Sequence, residues 1–208
     1  DEESIRKFID LNYKTDVNLD SFNKMIQKID YSKYLILYKL GGCYIDVDMI
    51  CFDKIDKYID QNKINVSLFY FTNIKIFPII NNGFIACPIK CKEINLIINK
   101  CRKNANNNYF LNELTIMYTT GPIMFNNQLE YSNNINILNS DIIYETNIQE
   151  YGIMKKKGLL ACHLHEFSWI NSNILLLLKL HYVIKSKFDI IIMLLVIFLL
   201  LYICFTNN

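Results

Sequence analysis

Asp46 and Asp48, two aspartates separated by one residue, are the side chains whose type and spacing point most directly to chemistry. They close the stretch from Tyr34 to Asp48, YLILYKLGGCYIDVD. Two carboxylates that converge on one point repel each other unless a cation lies between them. A hard divalent ion bound by one or two carboxylates, and completed by water and substrate phosphates, is the chemistry of Mn²⁺ or Mg²⁺. A bare D-x-D also occurs in exposed turns with two solvated aspartates. Here the order G-G-x-Y-x-D-x-D after a helical run makes the string far more specific.

The elements that must position this pair precede it. Ser21 to Lys39 reads as a helix, with Ser21 as its N-cap and Met25, Ile29, Leu37 and Leu40 as a loose apolar stripe. It stops at Gly41, because glycine supplies the positive φ of a helix C-terminus. Cys43-Tyr44-Ile45 then opens a strand, and the acidic pair falls at or near its end. In extended chain, residues i and i+2 point to one side. That turns Asp46 and Asp48 toward one ligand while Val47 packs behind. On the helix, Asp30 and Lys33 stand at i and i+3 on one face, where an intrahelical ion pair is the plain expectation.

Residues 2–9 read as a short helix, and Ile50 to Ile59 as a strand end followed by a short helix. Asn65 to Phe71 is strand-like and rich in aromatics, and Asn65-Val66-Ser67 is also an N-glycosylation sequon. Ile79 to Ala86 suggests a buried strand beside a turn at Asn82-Gly83, where asparagine tolerates left-handed geometry. Ile94 to Lys103 reads as a helix packed by Ile94, Ile97, Ile98 and Cys101. Gly121-Pro122 enforces a turn next to Thr120. His163 and His165, at i and i+2, fit either an ordinary strand or a transition-metal pair. The seven cysteines, Cys204 among them in the apolar C-terminal stretch, give no metal framework, since Cys87, Cys91 and Cys101 lack a matching second pair; they read as buried free thiols, or as disulfide partners if the domain is lumenal.

The length of 208 residues accommodates one α/β domain with a real core. A net charge of +2, with no basic patch interleaved with aromatics, gives no support to a nucleic-acid partner. Phe188 to Phe205, FDIIIMLLVIFLLLYICF, falls within the ~17–25 residues that span a bilayer as a helix. It reads as a C-terminal transmembrane helix at 188–205, preceded by a basic-apolar juxtamembrane segment at 173–187. The lysines on its N-terminal side place the preceding domain in the cytosol by the positive-inside rule.

The run from Asp30 to Asp48 resembles the sugar-binding D-x-D region of the glycosyltransferase family 32 enzymes, related to the sugar-transferring domains of the large clostridial toxins. The family pattern, roughly S-D-x-x-R, a Leu-Tyr-Lys helix end, G-G-x-Y and D-x-D, stands here in four pieces. They are Ile29-Asp30-Tyr31-Ser32-Lys33, Leu37-Tyr38-Lys39, Gly41-Gly42-Cys43-Tyr44 and Asp46-Val47-Asp48. Ile29 replaces a small polar residue, and Lys33 stands where arginine is usual, keeping the charge but not the bidentate fork. Leu114 to Phe125, LTIMYTTGPIMF, is similar to a T-x-M-x-x-T-G-P segment of the inositolphosphoceramide mannosyltransferase branch. His163 to Trp169 is similar to the histidine-containing S-W segment that ends the family's catalytic domain. The family has an opening strand ahead of a segment like residues 2–9, so either the sequence is a fragment that starts after it or the domain lacks it.

The resemblance implies a glycosyltransferase-A type fold, a Rossmann-like mixed sheet that binds a nucleotide sugar, over residues 1–172. It implies that Asp30, Asp46 and Asp48 carry the chemistry. Asp48 binds the metal directly, while Asp46 binds it through water or contacts the ribose. His165 completes the metal site or contacts phosphate, with His163 equally placed. Asp30 and Lys33 reach the donor sugar. Tyr44 and Asn82 lie on the donor side, with the acceptor also open for Asn82. Ser168 bonds a phosphate oxygen or a metal-bound water, and Trp169 donates its indole N–H to the diphosphate. Thr120, Gly121 and Pro122 are acceptor-side or structural.

The implied activity is a retaining, Mn²⁺- or Mg²⁺-dependent hexosyl transfer. The donor is GDP-mannose or a UDP-hexose, and the acceptor is a lipid such as inositolphosphoceramide or another glycan. The family's home is the Golgi or another secretory compartment, in conflict with the cytosolic side that the lysines favour. The alternative is a non-catalytic membrane-anchored relative that binds a sugar nucleotide, or serves a partner glycosyltransferase as its regulatory subunit.

Overall fold

A computed structural model of the chain describes residues 2–13, 18–70, 78–143 and 160–163, all within one packing unit. Helix α1 (Glu2–Tyr13) leads through a 3-10 turn at Leu19–Ser21 to α2 (Met25–Leu40). Strands β1 (Gly42–Ile45), β2 (Met49–Cys51), β3 (Ile64–Tyr70) and β4 (Pro78–Cys87) follow. Helices α3 (Lys92–Asn104), α4 (Asn112–Thr119) and α5 (Pro122–Leu129) precede β5 (Ile135–Leu138), α6 (Ser140–Ile143) and β6 (Ala161–His163). Among the described residues, one mixed sheet has the order β1-β4-β3-β5, and β2 pairs with β6 in a second ribbon. β4 runs antiparallel to both β1 and β3, while β3 and β5 are parallel. The α/β class expected from the sequence is therefore what the described residues adopt.

Alternation along β4 divides the core. Ile85 and Cys87 face a large cluster with Tyr31, Tyr34, Leu35 and Phe125, along with Ile94, Ile97, Ile98 and Cys101 of α3. Phe84 and Ala86 face a smaller cluster with Leu138, Ile143 and Leu160. Successive strand residues point to opposite faces, so one ten-residue strand serves both. α3 carries the expected apolar face, Ile94, Ile97, Ile98 and Cys101, fully inside.

Several local expectations are corrected. Ser21 ends the 3-10 turn and does not cap α2, which starts at Met25 with the Lys24 N–H bonded to Gln27 Oε1 at 3.0 Å. Of the expected stripe, only Leu37 is buried; Met25, Ile29 and Leu40 are exposed. The buried face of α2 instead combines Tyr31, Tyr34 and Leu35 with the polar Gln27, Asp30 and Lys33. Asn82-Gly83 is not a turn, because β4 continues through it. Cys87, Cys91 and Cys101 are buried free thiols as expected, whereas Cys43 and Cys51 are exposed. No described helix is long and apolar enough to cross a membrane, and the span expected at 188–205 lies outside the described residues.

The sequon asparagine is structural. Asn65 is 1% exposed, and its amide donates to the carbonyls of Asp60 (2.8 Å), Lys63 (2.9 Å) and Ala86 (3.2 Å). Its oxygen accepts from the Asp60 N–H at 2.7 Å and from Asn136 at 2.8 Å. Every polar atom of the side chain is engaged, so the folded domain offers no acceptor for a glycan there. Asn65→Ala strands these partners, and a loss of about 2–4 kcal/mol in denaturant unfolding is expected from buried groups left unsatisfied.

Candidate functional site

The site is built on the buried face of α2. Lys33 Nζ lies 2.7 Å from Asp30 Oδ1, with both side chains under 10% exposed. Taking both charges out of water is costly unless further hydrogen bonds complete the pair. Two more protein donors do so. Asn82 Nδ2 donates to Asp30 Oδ1 at 3.0 Å, and Thr120 Oγ1 donates to Asp30 Oδ2 at 3.2 Å. Burial pushes the Asp30 carboxyl above its usual range, and the Lys33 ammonium opposes that push. The Lys33 ammonium also stands 4.8 Å from the centre of the Tyr44 ring and 5.6 Å from that of Tyr34, within cation–π reach.

Asn82 reaches this pair because β4 bulges. Val66 of β3 pairs with Ile85, but the next residue, Ser67, pairs with Asn81. The intervening residues of β4 are released from the β3 ladder, and a bulge re-aims a side chain in just this way. Tyr34 was not singled out by the sequence, although it stands at i+4 from Asp30. Its hydroxyl accepts from Asn82 Nδ2 at 2.9 Å and donates to the Thr120 carbonyl at 2.8 Å. Burial, reinforced by the nearby Asp30 charge, raises the Tyr34 hydroxyl pKa well above its ordinary value.

Thr120 ends α4, Gly121 caps α5 and Pro122 fills the first position of α5. The expected turn is therefore a helix-to-helix corner. Thr120 is fully buried, and its hydroxyl faces Asp30.

The acidic pair lies just beyond β1. Gly41, at φ 65°, ends α2 where an added Cβ would meet the Ile89 nitrogen at 2.7 Å, and β1 departs from there. Beyond Ile45 the chain turns, with the Met49 N–H donating to the Asp46 carbonyl at 3.2 Å. Asp46 and Asp48 thus sit in a turn, and the strand pleat does not orient them. Val47 does not pack behind them; it is fully exposed. Asp46 is held from two sides. Its N–H donates to the Gly83 carbonyl at 2.9 Å, and its Oδ1 accepts from the Tyr44 hydroxyl at 2.8 Å. Burial raises the Tyr44 pKa, with the Asp46 charge adding to it. Gly83 makes the room: a Cβ there would stand 2.6 Å from Asp46 Oδ2.

The structure therefore brings together Asp30, Lys33, Tyr44, Asp46, Asn82 and Thr120, with Asp48 in the same turn as Asp46. His165, Ser168 and Trp169 lie outside the described residues. Among the described residues, no three His, Cys, Asp or Glu side chains gather into a metal-holding group. The two aspartates of the turn match the oxygen-donor chemistry of Mg²⁺ or Mn²⁺, which take one or two carboxylates and draw their other ligands from water and phosphate.

Residues 3–65 match the family described as the glycosyltransferase sugar-binding region containing the DXD motif. The chain is 32% identical over 126 residues to inositol phosphoceramide mannosyltransferase 2 of Schizosaccharomyces pombe, covering 59% of this chain and 33% of that protein. It is 30% identical over 125 residues to inositol phosphoceramide mannosyltransferase 3 of the same organism, covering 59% and 32%. It is 29% identical over 84 residues to the uncharacterized glycosyltransferase L373 of Acanthamoeba polyphaga mimivirus, covering 39% and 31%. The chain thus spans about a third of the length of these relatives. A solved structure, PaToxG glycosyltransferase, aligns at a TM-score of 0.42 and 20% identity, covering 62% of this chain and 39% of that one.

Gly83→Ala tests the room at Asp46. The backbone at Gly83 is open to alanine, so the expected result is a near-normal melting temperature with Mn²⁺ binding weakened at least about tenfold, as measured by electron paramagnetic resonance titration.

Proposed function

We propose that the chain transfers a hexose from a nucleoside-diphosphate sugar, on the ground that residues 3–65 match the glycosyltransferase sugar-binding region containing the DXD motif and that relatives about 30% identical are named inositol phosphoceramide mannosyltransferases. The observation that carries the proposal is a buried carboxylate, Asp30, joined to the D-x-D turn through Lys33, the Tyr44 ring and the Tyr44 hydroxyl on Asp46. A carboxylate held rigid and dry is a strong acceptor for a sugar hydroxyl, because the bond forms in a low-dielectric setting.

Asp48, with Asp46, would hold Mn²⁺ or Mg²⁺. When bound, such an ion neutralises charge that develops on the leaving diphosphate. The chain's own residues do the rest. Tyr44 fixes the Asp46 carboxylate, and Gly83 leaves it space. Asn82, Thr120 and Lys33 fix Asp30, so the sugar meets a preset acceptor. The Lys33 charge lies within this cluster and offsets that of Asp30. No side chain of the cluster is assigned as a covalent nucleophile.

The finer reading is a glycosyltransferase-A type domain over residues 1–172, tethered by the segment 188–205 to a secretory membrane such as the Golgi. Its donor is GDP-mannose and its acceptor an inositol-containing sphingolipid. The names of the relatives and the apolar C-terminal sequence support this choice. A lipid acceptor suits a domain tethered at the bilayer. His165, Ser168 and Trp169 would complete the diphosphate side.

Hydrolysis of GDP-mannose and UDP-hexoses by the purified chain, with and without Mn²⁺, tests the enzyme. Metal-dependent release from one donor is expected, falling at least about 100-fold in Asp48→Ala through loss of charge stabilisation. Folded chain that releases sugar from no donor would overturn the reading in favour of a non-catalytic sugar-nucleotide binder.

A further inference from the structure

Asp30 belongs to a closed ring of hydrogen bonds. Asn82 Nδ2 donates to Asp30 Oδ1 (3.0 Å) and to the Tyr34 hydroxyl (2.9 Å). The Tyr34 hydroxyl donates to the Thr120 carbonyl (2.8 Å), and the Thr120 hydroxyl donates to Asp30 Oδ2 (3.2 Å), which closes the ring. Every member is buried, and they come from three separate elements: α2, β4 and the corner between α4 and α5. Thr120 is the only one that touches Asp30 with its side chain and Tyr34 with its backbone. The corner itself is set by the Gly121 N–H bonded to the Ile116 carbonyl at 2.8 Å and by Pro122 at the start of α5.

A carboxylate offers about four acceptor positions. Lys33 and Asn82 take two on Oδ1, and Thr120 takes one on Oδ2. Among the described residues one position, on Oδ2, has no protein donor, and the Thr120 bond fixes the direction it faces. Without the Thr120 hydroxyl, Oδ2 presents two positions, and the carboxylate can turn about its own axis. Lys33 works from the other oxygen. Its ammonium is enclosed by Asp30 and the rings of Tyr34 and Tyr44. Neither residue is disposed to grip a diphosphate.

Resting on the donor-sugar role proposed for Asp30, we propose that Thr120 is a positioning residue for the sugar half of the donor. It acts through Asp30 and touches neither the diphosphate nor the acceptor. The T-G-P corner is thereby part of sugar recognition, although its threonine never meets the sugar.

Because the effect is confined to the sugar, nucleoside diphosphate and nucleotide sugar must respond differently. Calorimetric titration of the full chain in Mn²⁺ with GDP and GDP-mannose, and with UDP and UDP-glucose, reads this difference; the pair that wild type binds more tightly is used. In Thr120→Val the nucleotide-sugar Kd is expected to rise about tenfold, as for one lost hydrogen bond to a charged group, while that of the nucleoside diphosphate stays within about twofold. Thr120→Ser, which keeps the hydroxyl, is expected to restore sugar affinity. Thr120→Ala is expected to reproduce the Thr120→Val pattern, and it carries the test if Thr120→Val does not fold. Equal loss of both ligands, or no change in either, overturns the proposal. Wild-type chain that binds neither pair overturns the donor-sugar role of Asp30 and this proposal with it.

Discussion

A buried ion pair constrains the rest of this structure. Asp30 and Lys33 sit on the inward face of α2, where an apolar helix would carry two more hydrophobic residues. Such a pair contributes little to stability against a well-packed apolar substitute, and it strands a charge if either partner is removed. The neighbouring elements are shaped to complete it. β4 breaks its register with β3 to deliver Asn82, and α4 ends so that Thr120 faces the carboxylate. The Tyr34 and Tyr44 rings close over the ammonium. Stability is drawn instead from the apolar cluster around Phe125, Ile94 and Ile97.

Tyr44 ties that interior to the surface turn. Its ring lies against Lys33, and its hydroxyl holds one oxygen of Asp46. The same β4 bulge that frees Asn82 exposes the Gly83 carbonyl to the Asp46 N–H and leaves space for the other carboxylate oxygen. One local irregularity in one strand therefore serves both carboxylates, the inner one through a side chain and the outer one through backbone. A single added methyl at Gly83 would disturb only the second.

Much of this was legible in the sequence. The G-G-x-Y-x-D-x-D string, the Asp30–Lys33 pair and the apolar face of α3 all fall where expected, and the family resemblance holds over residues 3–65. The misses have physical causes. Hydrophobic periodicity pointed to the wrong face of α2, because Asp30 and Lys33 are buried while Met25, Ile29 and Leu40 are exposed. Asn82-Gly83 looked like a turn because the dipeptide suits both a turn and a bulge, and only the pairing with β1 and β3 decides between them. Val47 looked like a packing residue only while the acidic pair was assumed to be extended. Asn65 carried a surface motif but serves as a buried hub, which no local pattern reveals. The partnership of Thr120 with Asp30 spans 90 residues, a separation beyond the reach of spacing rules.

The most direct measurement is a crystal structure of the chain with Mn²⁺ and a non-hydrolysable nucleotide-sugar analogue. The expected result is a Mn²⁺ ion on the Asp48 and Asp46 carboxylates, bridged to the diphosphate, with one sugar hydroxyl on Asp30 Oδ2. A sugar bound away from Asp30, or a metal bound elsewhere than the D-x-D turn, would contradict the central claim that these two carboxylate centres together read one donor.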